Sequence, residues 1–120
     1  MKYMLLIYER EADWDALTDA EQRAEMAEYE QFTDDIRRTG QYLAEVPPAP
    51  LAPTTTATTV RVRKGKTMLT DGPFAETREQ LGGFYIVEAA NADDAIELAA
   101  RIPGARRGSI EVRPFNLLRD

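Results

Sequence analysis

Asp71, Glu76, Arg78 and Glu79 lie within nine residues, Asp71 just ahead of a glycine–proline turn and the others between it and the paired glycine that opens an apolar run. A carboxylate that is buried beside another carboxylate holds its proton more tightly than one in water, so it can exchange that proton near neutral pH. With Asp71 as proton acceptor and donor, such a set would carry out proton transfer on a small organic substrate. Isomerisation, elimination or hydrolytic ring opening would follow from that chemistry. Arg78 or Arg113 could hold an anionic group of the substrate through paired hydrogen bonds. Glu76 and Glu79 flank Arg78, and Tyr85, in the apolar run that follows, could line the same pocket.

The same residues also read as pure architecture. In Asp71-Gly72-Pro73-Phe74, proline fixes φ and glycine tolerates positive φ, so the chain can reverse sharply. An aspartate placed just ahead accepts hydrogen bonds from the N–H groups of its own turn. On this reading Asp71 caps the turn and Phe74 anchors the loop in the core. Glu111 and Arg113, like Arg61 and Arg63, then form ion pairs on a solvated edge or across two chains.

Composition removes most other chemistry. The chain has no cysteine and no histidine, which excludes disulfides, thiolate nucleophiles, imidazole bases and imidazole metal ligands. Asp13, Asp15 and Asp19, or Glu76 and Glu79, offer oxygens to a hard cation but lack the spacing and glycine of a calcium loop. Neither metal nor cofactor is therefore expected. A net charge of −6 argues against nucleic acid as a partner, and the basic group Arg101, Arg106 and Arg107 is short, with no interleaved aromatics. The apolar stretch Tyr3 to Tyr8 is too short for a membrane span or an export signal, so the expected location is the cytoplasm.

The elements that must position these residues follow from periodicity over 120 residues, enough for one domain, 1–120. Residues 3–8 carry large apolar groups on both alternating faces, the pattern of a strand buried on both sides. Thr18 and Glu21 form a capping box for a helix over 18–39 that buries Met26, Tyr29, Phe32 and Ile36 and ends at Gly40. Residues 41–46 read as a strand, and the proline-rich segment from Pro47 to Thr56 as a surface connection. Residues 58–64 and 67–70 form a hairpin about Lys64-Gly65-Lys66. Residues 82–89 form a strand that is again apolar on both faces, with Gly82-Gly83 allowing a bulge or a close backbone approach. Asn91 caps a helix whose buried face carries Ala92, Ala95, Ile96 and Ala99, and residues 108–113 close the fold as a strand. Trp14 reads as a local packing anchor ahead of the first helix. The order predicts a ferredoxin-like α+β fold: an antiparallel sheet with two helices on one face and an inserted hairpin. Two helices cover only one sheet face, so an apolar second face implies a homodimer packed sheet to sheet.

Four stretches together resemble the YCII-related family, with its DGPF signature. They are Lys2-Tyr3-Met4-Leu5-Leu6-Ile7-Tyr8, Thr70 through Glu79, Leu81-Gly82-Gly83-Phe84-Tyr85, and Gly108-Ser109-Ile110-Glu111-Val112-Arg113-Pro114. The resemblance implies a dimeric α+β barrel, bacterial origin, and genes often found beside those of extracytoplasmic-function sigma factors. It also brings a histidine–aspartate pair attributed to some relatives. Without histidine, this chain retains only Asp71 of such a pair. Two functions are therefore expected to compete. One is a non-catalytic dimeric accessory or small-molecule-binding protein, linked to sigma-factor regulation and taking a small anionic organic ligand. The other is an acid–base enzyme with Asp71 at a dimer cleft.

Overall fold

The computed structural model describes residues 1–43 and 49–116. Strand β1 (Lys2–Glu9) buries Tyr3, Leu5 and Ile7 and turns Met4, Leu6 and Tyr8 to its other face. A short helix α1 (Glu11–Asp15), not anticipated from the periodicity, holds the half-buried Trp14, whose carbonyl accepts from the side chain of Gln22. Helix α2 (Asp19–Arg38) starts in the expected capping box. The Glu21 N–H donates to the Thr18 hydroxyl at 3.1 Å, and the Thr18 N–H donates to the Glu21 carboxylate at 2.9 Å. It ends as a Schellman motif, with the N–H of Gly40 on the Arg37 carbonyl and that of Gln41 on the Ile36 carbonyl.

The buried stripe of α2 departs from the expected one at two positions: Glu25 takes the place of Met26, and Thr33 is buried as well. Phe32 and Ile36 are buried and Tyr29 packs beside them, but Met26 is exposed and Glu25 is buried in its place. Positions 25, 29, 32 and 36 lie along one side of a 3.6-residue helix, and residue 26 is turned about 100° away.

A pair of strands follows, β2 (Thr58–Arg63) and β3 (Lys66–Asp71), joined by a tight turn at Lys64-Gly65. Both turn residues have positive φ, 52° and 73°, the geometry that matches the twist of a two-residue hairpin. The hairpin is a sheet of its own, and every residue of β3 is exposed. It projects from the body as an arm. The radius of gyration reflects this: 16.2 Å, against about 14 Å for a compact domain of this length.

Strand β4 (Gln80–Glu88), helix α3 (Ala92–Arg101) and strand β5 (Ser109–Pro114) complete the domain. Asn91 accepts from the N–H of Asp94 and caps α3. Ala95, Leu98 and Ala99 of α3 are buried; Ala92 and Ile96, expected among them, are exposed, because the buried stripe runs through 95/98/99/102 instead. The main sheet is antiparallel in the order β4-β1-β5. Along the free edge of β4, Tyr42 bridges to Val87 and the N–H of Leu51 reaches the Gly82 carbonyl at 2.8 Å. Of the strand expected at 41–46, residues 44–46 lie outside the described residues. The register skips Gly82 between Ile7/Gly83 and Tyr8/Leu81, so the paired glycine does mark a bulge.

The long helices lie on one face of this sheet. Tyr3, Leu5, Ile7, Tyr85 and Val87 meet Phe32, Ile36, Leu98 and Ile102 there, in one buried cluster. On the opposite face, Met4, Leu6, Tyr8 and Ile86 are half-buried and Phe84 is exposed.

Candidate functional site

Asp71 ends β3 at the base of the arm and is exposed. Its carboxylate has no hydrogen bond or ion pair among the described residues, so it does not cap its turn. The turn is closed by other groups. Gly72, at φ 95°, donates its N–H to the Ala57 carbonyl at 2.8 Å, and the Thr59 hydroxyl donates to the Gly72 carbonyl at 2.8 Å. A positive φ there favours glycine, which is why the signature needs this residue.

Phe74 corrects a further expectation. It is 77% exposed and does not anchor the loop in the core. The ring lies under the Arg61 guanidinium, 5.3 Å from its centroid, as part of the surface of the arm. The loop follows the projecting hairpin, so an aromatic residue here cannot reach the helix-side core.

The remaining candidates divide between the two sheet faces. Glu76 and Arg78 are exposed in the loop before β4. Glu79 accepts from the Ser109 hydroxyl at 2.7 Å, tying that loop to the start of β5. Ser109, Glu111 and Arg113 pair with Tyr8, Leu6 and Met4 and so share their open face. There Arg113 donates through Nε to Glu111 at 2.8 Å. Tyr85 points the other way, into the helix-side core. It shares a hydrogen bond with Thr33 at 2.9 Å and packs edge-on against Phe32 with centroids 5.2 Å apart. Burial pushes its phenol pKa up.

Among the described residues, no group of three or more acids could hold a metal ion. Two open surface hollows among the described residues lack Asp71 from their linings. One is lined by Gln41, Asp94, Glu97, Leu98, Ala100 and Arg101, the other by Gln31, Asp34, Arg37 and Arg38.

The most developed ionic constellation was read from sequence only as a basic surface group. Arg107 grips Glu25 with both terminal nitrogens at 2.7 Å and reaches Glu9 at 3.2 Å. Arg106 pairs with Glu28 at 2.7 Å, and Arg101 lies 3.6 Å from Asp35 and over the Phe32 ring. The turn Pro103–Arg106, which carries Arg106 and leads into Arg107, is held to α2 by the Gly104 N–H donating to the Tyr29 hydroxyl at 3.1 Å. The signal was present in the sequence: Glu25 occupies a position of α2 that the spacing of Tyr29, Phe32 and Ile36 makes internal, and an internal acid requires a cation.

An antiparallel sheet with two long helices on one face, a further segment along the edge of β4 and an inserted hairpin define a ferredoxin-like α+β domain. The chain belongs to the YCII-related domain family, whose model matches residues 1–117. An uncharacterised protein of Rhizobium meliloti (strain 1021) is 49% identical over 73 residues, which spans 59% of this chain and 59% of that protein. Among the described residues, no helix is long and apolar enough to cross a membrane.

Proposed function

We propose that this protein works as a homodimer that binds a small anionic organic molecule in the crevice between its two copies, in an accessory rather than a catalytic role. The observation that carries this reading is the open sheet face. Met4, Leu6, Tyr8, Phe84 and Ile86 align on it, while both long helices bury the opposite side. An apolar face of this kind, rimmed by Ser109–Glu79 and Glu111–Arg113, has the make-up of an interface. Arg78, exposed in the loop before β4, and Arg113, which would have to exchange Glu111 for the ligand, are the cations that would meet an anion there. Sedimentation equilibrium should give a dimer at micromolar concentration, and Phe84→Asp should loosen it at least tenfold while circular dichroism stays unchanged. A thermal-shift screen of small carboxylates and phosphates should find ligands that stabilise the wild type by about 2.7 kcal/mol at a hundredfold excess over Kd. A monomeric wild type would remove the crevice and this reading with it.

The acid–base enzyme remains a second reading because the Asp71 carboxylate, at a strand end, is not engaged by any described group. With a substrate in hand, Asp71→Asn should lower kcat about 100-fold or more if Asp71 moves the proton. The melting temperature should not change, since no folded-state bond is lost. Unaltered turnover would take Asp71 out of the chemistry.

A further inference from the structure

We propose that the β2–β3 arm crosses to the second copy of the chain and covers part of its surface; this rests on the dimer reading above and names a second, separate contact. Register assigns the two faces of the arm. Thr58, Val60 and Val62 pair with Asp71, Leu69 and Thr67 on one side, and Thr59, Arg61 and Arg63 pair with Thr70, Met68 and Lys66 on the other. One face is therefore apolar and the other cationic. The apolar face is open to solvent, with Val60 and Val62 each 59% exposed and Leu69 69% exposed. A two-stranded hairpin without a packing partner is marginal in water. An arm of this composition requires a cover.

Charge identifies the occupant. Residues 58–71 hold four of the fifteen bases and one of the twenty-one acids, Asp71, so the net −6 divides into +3 on the arm and −9 on the remainder. A second copy offers an acidic body to that cationic face. Area points the same way. Three strands of six to nine residues present a face of roughly 350 Å² at standard strand spacing and rise. Even half as much again for side-chain relief falls short of the ~800 Å² per partner typical of a stable interface. Each side of the arm adds roughly 200 Å² on the same measure. The arm is also continuous with the open face, because β3 runs through residues 72–79 directly into β4, which carries Phe84 and Ile86.

The absence of cysteine makes the test clean. A Leu69→Cys variant carrying a benzophenone-maleimide probe would be mixed as light and 15N-labelled full-length chains and irradiated. Sedimentation of the same samples would report the oligomeric state. The expected product has dimer mass and cross-linked peptides that pair light with heavy chains. Val60→Asp/Leu69→Asp and Arg61→Glu/Arg63→Glu should each raise the dimer Kd at least tenfold, the second with a loss of salt dependence. A wild type that dimerises, but whose Kd ignores both double variants and whose cross-links stay within one chain, would overturn the arm contact and leave the sheet-face dimer standing. Arm-dependent binding to anionic vesicles or nucleic acid, with Kd unmoved, would overturn it in favour of another partner. A monomeric wild type overturns both contacts together.

Discussion

Arg107→Ala is expected to lower the free energy of unfolding by about 3 kcal/mol, measured by urea denaturation at neutral pH. Removing one partner of a buried ion pair leaves the other charge without compensation, which costs about 3–5 kcal/mol. Glu25 is only 4% exposed, and both of its oxygens are held by Arg107. The lower end of the range applies because the Arg107 side chain is itself partly exposed and Arg106 remains 3.9 Å from Glu25. A pair replaced as a unit behaves differently, so Arg107→Met combined with Glu25→Leu should recover most of the loss. If the double variant is as unstable as the single one, the defect lies in packing rather than in an orphaned carboxylate.

The pH dependence gives a second signature of the same cluster. Burial raises the Glu9 pKa above its ordinary 4.5 against the opposing pull of Arg107. A carboxyl with a raised folded-state pKa contributes stability that is full below its unfolded value and lost as pH rises through the folded one. Without Arg107 the pull disappears, so the raised pKa moves higher. The gap between wild type and Arg107→Ala should therefore widen from pH 4 to pH 8. Three acids outside the cluster's core have the opposite sign: the Thr18 N–H lowers Glu21, Arg106 lowers Glu28 and the Gln31 amide lowers Asp35, each adding stability as pH rises. These three are held chiefly by groups other than Arg107 and are shared by both proteins, so they largely cancel in the difference.

The contrast between Glu25 and Glu21 explains much of what sequence could and could not convey. Glu21 answers to a residue three positions away, so the capping box, like the Asn91 cap and the Lys64-Gly65 turn, is written locally. Glu25 answers to Arg107, 82 residues distant; the spacing along α2 makes its position internal, but no local pattern names the cation it needs. The strands at 3–8 and 84–87 show a related limit. Alternation reveals that both faces are apolar, yet it cannot say which face receives the helices. That choice puts Tyr85 in the core and Phe84 in the open, and it separates Tyr85 from the candidate residues Glu79 and Arg113. The signature loop was legible as a turn, down to the glycine at positive φ. Its Phe74 was misplaced because nothing within the loop indicates that the hairpin preceding it leaves the body of the domain.

Gly108→Ala should be at least as damaging, costing about 3 kcal/mol or more in the same denaturation experiment, because the added atom meets backbone. Overpacking commonly costs about 1–3 kcal/mol when side chains can shift, and more when they cannot. A Cβ on Gly108 would overlap the Tyr8 carbonyl oxygen and lie 3.0 Å from both the Tyr8 carbonyl carbon and the Glu9 Cβ. Tyr8 cannot withdraw, since it pairs with Ser109 on one side and Leu81 on the other. Gly108 is fixed in turn by its N–H on the Gly104 carbonyl at 2.8 Å. Relief requires the start of β5 to peel from β1, which would also shift Ser109 away from Glu79 at the rim of the open face. Gly104→Ala should cost less, about 1–2 kcal/mol. Its nearest obstacle, 2.6 Å away, is the Tyr29 hydroxyl, which can swing aside by giving up one hydrogen bond. The signature glycines Gly82 and Gly83 have ordinary room at 3.9 and 4.0 Å, so alanine at either should cost under about 1 kcal/mol. An inverted order, with Gly82→Ala or Gly83→Ala worse than Gly108→Ala, would mean that the bulge rather than the β1–β5 approach sets the tolerance of this sheet.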